Sequence, residues 1–93
     1  IERGYGGQVW MKPLADGSRA VAFVNYTERE LAQYVRWAQI GLPPGPAKVR
    51  DLWAHADIGL HSDTGKHYNE RFEVRVPPHG VVLVRIWPVT VAD

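Results

Sequence analysis

Phe72, Val74 and Val76 alternate with Glu73 and Arg75, and after Pro77-Pro78-His79-Gly80 the alternation resumes at Val82, Val84 and Ile86. A period of two places one set of side chains on one face of a strand and the other set on the opposite face. The two runs therefore predict antiparallel strands with a shared buried face. Proline at the second position and glycine at the fourth position of the intervening tetrad predict a type I turn. The run Arg19 to Tyr26 constrains the chain further. Ala20, Ala22 and Val24 line one face, Val21 and Phe23 the other. With both faces apolar, this strand is expected at the centre of a sheet, covered on both sides.

The remaining segments fit around these strands. Gly4-Tyr5-Gly6-Gly7 reads as part of a flexible lead-in over residues 1–8. Gln8 to Lys12 alternates around Val9 and Met11 on one side and Trp10 on the other, Pro13 closes it, and Asp16-Gly17 predicts a type I′ hairpin turn. Ala47 to Trp53 reads as a buried strand ending at a tryptophan, and His55 to His67 as a long polar turn region. Thr27 to Leu42 admits two readings. Thr27-Glu28-Arg29-Glu30 matches a helix capping box, Leu31, Tyr34, Val35 and Ala38 have helical spacing, and Gly41 could stop a helix. Leu31, Val35 and Trp37 also alternate as a strand, and the β-rich neighbours favour that strand to Trp37, then one tight helical turn through Ile40. Five or six short strands separated by frequent turn signals predict an all-β fold, an antiparallel β-sandwich of Greek-key-like, immunoglobulin-like form. The sandwich is placed at residues 9–88, with a tail at 89–93.

Ninety-three residues make one small domain with little core to spare. Eleven basic and ten acidic residues nearly cancel, so no electrostatic argument points to nucleic acid or an anionic membrane as partner. No apolar run approaches the ~20 residues of a membrane-spanning helix. The absence of cysteine excludes a disulfide framework and thiolate metal sites but leaves the compartment open. The first residue is Ile1, so the chain is expected to be a processed product or a piece of something longer, whose targeting signal would be out of view.

Catalytic chemistry is hard to place on these residues. The acids, Glu2, Asp16, Glu28, Glu30, Asp51, Asp57, Asp63, Glu70, Glu73 and Asp93, fall mostly in turns or on outward faces. Acid–base catalysis needs titratable groups held in a shared cleft, and no such pair is indicated. His55-x-Asp57, His61-x-Asp63 and His67 could together bind a divalent metal, but two aspartate-initiated turns explain the same residues, and no metal or other cofactor is expected. Ser18 and Ser62 each sit beside a turn residue and suggest no nucleophile. Tyr5, Tyr26, Tyr34, Trp37 and Trp87 could stack on sugar rings, whereas Trp10, Trp37 and Trp53 lie among apolar strand residues and favour packing roles.

Val9-Trp10-x-Lys12-Pro13-Leu14, Asp16-Gly17-Ser18, Ile40-Gly41-Leu42, Arg50-Asp51-Leu52-Trp53 and Pro77-Pro78-His79-Gly80, taken in this order and spacing, resemble the C-terminal β-sandwich domain of glycoside hydrolase family 27, the α-galactosidases, and bacterial members more than animal ones. The resemblance also favours the strand reading of Leu31 to Trp37. It implies an N-terminal (β/α)8 barrel elsewhere in the parent chain that removes terminal α-linked galactose with retention through two aspartates. Those aspartates belong to barrel segments absent from this sequence, so no catalytic residue carries over. The implied role is that of a non-catalytic accessory domain that packs on the barrel, with Trp10, Ala20, Ala22 and Trp53 as core or interdomain candidates. Trp53 is expected to be mostly buried, against the last two strands or against the barrel. The alternatives are a carbohydrate-binding module and a free-standing interaction domain.

Overall fold

The computed structural model describes residues 2–3, 6–67 and 69–89. Eight strands occur among them: β1 Glu2–Arg3, β2 Gly7–Pro13, β3 Arg19–Asn25, β4 Leu31–Val35, β5 Gly45–Asp51, β6 Ala56–Asp63, β7 Phe72–Val76 and β8 Val81–Pro88. A six-stranded sheet has the order β1-β2-β3-β8-β5-β6, and β4 and β7 form a separate two-stranded sheet, with every pair antiparallel. This is the expected all-β sandwich. The segment read as a lead-in already contributes to the sheet, with Glu2 opposite Gln8 and Arg3 opposite Gly7.

The core lies between the two sheets. Val9, Val21, Phe23, Val84, Ile86, Ala47 and Val49 come from the large sheet, and Val35, Phe72 and Val76 from the small one. The Phe72 ring centroid lies 6.2 Å from that of Phe23 and 6.3 Å from that of Trp37, so it ties both sheets to the short connecting helix. That helix is a single 3-10 turn, Trp37–Ile40, following β4. The strand reading of Leu31 onward is correct, except that Trp37 belongs to the turn and not to the strand. Gly41 ends the turn in the left-handed region, at φ 77°, where a residue without Cβ is favoured. Arg19 then covers the freed carbonyls, donating from Nε to Ile40 O at 2.7 Å and from Nη2 to Gly41 O at 3.1 Å.

Thr27, the residue read as a possible helix cap, serves a different device. Asn25 is buried at the end of β3, and its Oδ1 accepts hydrogen bonds from the Thr27 amide and hydroxyl. Its Nδ2 donates to the carbonyls of Arg29, Val76 and Pro77. One amide side chain thus joins the end of β3 to the end of β7 and to the loop that leads into β4, an arrangement that favours strand pairing over the helical spacing from Thr27 onward.

Four local expectations need correction. The β2–β3 turn is not type I′. Only Gly17 has positive φ there, and the bonds Gly17 N to Leu14 O and Leu14 N to Ser18 O describe a three-residue loop ending in a left-handed glycine. At Pro77–Gly80, Gly80 N donates to Pro77 O as a β-turn requires, but His79 at φ 51° gives the third position of a type II turn, not a type I turn. The strands on either side of it share the core yet do not pair. β7 joins β4, whereas β8 lies between β3 and β5, so the turn crosses from one sheet to the other. Finally, Ala56–Asp63, within the segment read as a polar turn, is an edge strand paired with β5 through a β-bulge at Val49/Arg50. Main-chain pairing holds it with almost no buried side chain, and its alternating Ala56, Ile58 and Leu60 are all exposed.

The fifth correction concerns Trp53. β5 ends at Asp51, not at the tryptophan, and Trp53 is 72% exposed. It is not a core residue of this chain. Truncating a buried tryptophan typically costs ~3–5 kcal/mol, whereas substitutions of exposed residues usually stay within ~0.5 kcal/mol. Trp53→Ala should therefore leave the melting temperature of the isolated 93-residue chain almost unchanged. Unfolding of this variant in a thermal melt would contradict the placement.

Candidate functional site

Residues directly opposite one another in antiparallel strands share a face, and the register therefore writes out the outer surface of the large sheet. Trp10 on β2 faces Ala22 on β3, which faces Leu83 on β8, and Leu52 continues this row by donating its amide to Leu83 O. Gln8, Val24 and Val81 form the neighbouring row. The next row in the opposite direction is Lys12, Ala20, Arg85, Arg50 and Asp57, across five strands. Beyond it lie Trp87, Lys48 and Leu60. Three of the four candidate residues, Trp10, Ala20 and Ala22, are thus brought together on one face, and Trp53 follows Leu52 just past the end of β5.

This outer face carries a continuous apolar patch. Trp10 is 59% exposed and Val81 41%, while Ala22, Val24 and Leu83 are partly covered. The patch is rigid at its rim. Gln8 Oε1 accepts hydrogen bonds from Trp10 Nε1 at 3.1 Å and from the Tyr26 hydroxyl at 2.9 Å, so one amide orients two exposed aromatic rings. At the other end, Asp51 Oδ1 accepts the amides of Trp53 and Ala54, both at 2.9 Å. Arg50 donates to Asp57 Oδ1 and to His55 O, with His55 in a left-handed conformation at φ 53°. The Arg50-Asp51 pair fixes the turn that leaves Trp53 in solvent. The sequence reading missed Leu83 and Val81. The signal available was that Val81 and Leu83 add apolar residues opposite Val82, Val84 and Ile86, which marks a strand covered on both sides.

The charged row is held by pairing. Arg85 forms a short ion pair with Asp16, whose carboxylate also accepts from the Ser18 hydroxyl and amide. The Ser18 hydroxyl bond, then its amide and Arg85, lower the Asp16 pKa to about 2 despite some desolvation. Among the described acids, Glu30 pairs with Arg75, Asp57 with Arg50, Asp63 with Arg36 and Glu73 with Arg71. These pairs are dispersed over the molecule, and each of these carboxylates faces a guanidinium.

The histidine-aspartate pattern is also dispersed. Asp63 is buried and accepts from Arg36 Nε at 2.9 Å, Arg36 Nη2 at 2.8 Å, the Trp37 amide at 3.0 Å and the Gly65 amide at 2.9 Å. The His61 ring stands edge-on to Phe72 at 4.9 Å between centroids, and the His67 amide donates to Glu70. No group of three or more metal-binding side chains is gathered among the described residues. Of the aromatics considered for sugar stacking, Trp37 is buried and donates its indole N–H to Gly45 O. Tyr26 and Tyr34 are exposed, Trp87 is partly buried, and Tyr5 lies outside the described residues.

The Asp63 latch has a pH signature. The Arg36 hydrogen bonds, reinforced by the Trp37 and Gly65 amides, hold the Asp63 pKa at about 2, against the ~3.9 of an unfolded aspartate. A depressed folded-state pKa gives stability that is complete above the unfolded value and is lost as pH falls through the folded one. Asp63→Asn should lower the melting temperature at neutral pH, and the gap to the parent sequence should close between about pH 4 and pH 2. A gap that stays constant over that window in thermal melts would contradict the assignment.

The family model described as the alpha-galactosidase C-terminal beta-sandwich domain matches residues 5–86. A Dictyostelium discoideum protein named "Probable alpha-galactosidase" is 27% identical over 92 residues, covering 95% of this chain and 23% of that protein. The isomalto-dextranase of Arthrobacter globiformis is 32% identical over 81 residues, covering 85% of this chain and 11% of the enzyme. Among solved structures, a GH27 β-L-arabinopyranosidase from Geobacillus stearothermophilus superposes with a TM-score of 0.82 at 28% identity, over 99% of this chain and 19% of that one. The chain thus spans less than a quarter of the length of each of these proteins. On the match over residues 5–86 and these likenesses, the chain belongs to the alpha-galactosidase C-terminal β-sandwich family, the C-terminal domain of GH27 glycosidases.

Proposed function

We propose that this chain is the non-catalytic accessory domain of an α-galactosidase-like glycoside hydrolase, and that it works by docking on the catalytic (β/α)8 barrel of the same parent chain. The observation that carries the reading is the apolar patch of Trp10, Ala22, Leu83, Val24 and Val81 on the outer face of the large sheet. Contiguous exposed apolar surface on a small soluble domain marks an interaction site. Ala22 at its middle, with Ala20 beside it in the charged row, leaves room for a partner's side chains to approach the sheet. Trp10 and Tyr26, fixed through Gln8, lose little rotamer freedom on burial. The dispersed, arginine-paired carboxylates suit a domain without its own hydrolytic centre, since retention requires two carboxylates flanking one bond.

Removal of terminal α-linked galactose is the activity proposed for the parent, carried by the barrel. The relatives named for galactoside, dextran and arabinopyranoside chemistry share this module, which fits a structural part that serves several sugar specificities.

A charge placed on the face tests the reading. Ala22→Arg in the full-length parent should lower its melting temperature by roughly 2–4 °C for each kcal/mol of docking lost, while the same change in the isolated 93-residue chain, where Ala22 is only partly covered, should have little effect. Equal melting shifts in both contexts, or none in the parent, would reject this face as the docking surface.

A further inference from the structure

The charged row Lys12–Ala20–Arg85–Arg50–Asp57 separates the docking patch from a second feature of the same sheet, a groove of about 700 Å³ at the β8–β5–β6 corner. Trp87, Leu60 and Val89 supply apolar walls, and Lys48, Arg50 and Asp57 supply polar groups. We propose that this groove binds a neutral pyranose oligosaccharide, as a site separate from the docking patch.

The chemistry of the lining selects the ligand. The Arg85 guanidinium rests 4.7 Å from the Trp87 ring centroid, which fixes the indole, and Arg85 itself lies outside the groove lining. Trp87 and Leu60 flank Lys48 in the strand register, so an apolar wall lies on each side of one cationic donor. Leu60 is 65% exposed, so its side chain is accessible to a ligand in the groove. Arg50 and Asp57 neutralise each other at 2.8 Å. Asp57 commits Oδ1 to Arg50, leaving Oδ2 as an acceptor, and Lys48 supplies N–H donors. A ligand with an apolar ring face and alternating donor and acceptor hydroxyls meets all of these groups without bringing charge. A pyranose has that character, with C–H bonds on its face for the indole and hydroxyls at its rim. The groove volume falls within the ~300–1,000 Å³ of small-ligand sites and suits more than one ring.

The test is a titration of the isotope-labelled 93-residue chain with isomaltotriose and with melibiose, followed by amide and indole chemical shifts. At least one sugar should give saturable shifts centred on the Trp87 indole N–H and the Lys48, Asp57 and Leu60 amides, with a dissociation constant on the order of 1 mM. Sorbitol, a polyol without a ring face, should give none. Trp87→Ala should weaken binding by about tenfold. Leu60→Ser and Asp57→Ala, at exposed positions where the fold is not at stake, should each weaken it several-fold with unchanged melting temperature. The proposal is overturned if neither sugar gives saturable shifts, if shifts map to the Trp10–Ala22–Leu83 patch, if sorbitol reproduces them, or if Leu60→Ser and Asp57→Ala both leave binding intact. None of these outcomes bears on docking to the barrel, which the Ala22→Arg comparison tests separately.

Discussion

Strand β8 is paired along both edges, with β3 on one side and β5 on the other, and its register fixes both surfaces of the large sheet. Val84 and Ile86 enter the core, while Leu83, Arg85 and Trp87 define, in turn, the apolar patch, the charged row and the groove. A one-residue slip would exchange these two sets, sending Arg85 into the core and Val84 into solvent. The register is held at several points: the buried Val84 and Ile86, the crossing turn in which Asn25 N donates to Gly80 O, and the Leu52 N–H to Leu83 O bond. Core formation and the presentation of the outer face are therefore one constraint.

The small sheet is the complement of this arrangement. β4 and β7 pair only with each other, and an isolated two-stranded ribbon is marginal in water. Their stability comes from Val35, Phe72 and Val76 packing on the large sheet, from Asn25 reaching Val76 and Pro77, and from the Arg36–Asp63 latch that ties the end of β4 to β6. With one face of the large sheet committed to this cover, its outer face is the broad sheet surface left for a partner. A domain organised in this way can keep its core while its outer face diverges.

The strands with a two-residue period were legible in the sequence. β3 and β8 show apolar residues at alternate positions, and β7 shows a clean apolar-charged alternation. The alanines of β3 on the outer face were legible too. Pairing partners were not. The tetrad Pro77–Gly80 reads as a local turn, and only tertiary contacts reveal that the chain changes sheets there. β6 was misread because its alternating Ala56, Ile58 and Leu60 are exposed, and the aspartates and glycines between His55 and His67 read as turns. Trp53 does not join the core of this chain, because apolar bulk near a strand end says nothing of which way the turn projects it. That direction is set by Asp51 and Arg50 through hydrogen bonds to the turn backbone. The groove was equally hidden, since Lys48, Leu60 and Trp87 come from three strands and converge only through register.

Docking through this sheet requires the outer face around Trp10 to be covered in the parent and open in the isolated chain. Hydroxyl-radical footprinting read residue by residue measures this directly, by comparing Trp10 and Tyr26 in the 93-residue chain, where they are 59% and 56% exposed, with the same residues in the full-length protein. Strong loss of oxidation at both in the full-length protein, with Tyr34 on the small sheet reacting equally in the two, is the expected result. Undiminished oxidation of Trp10 and Tyr26 in the full-length protein would show that the domain does not dock through this face.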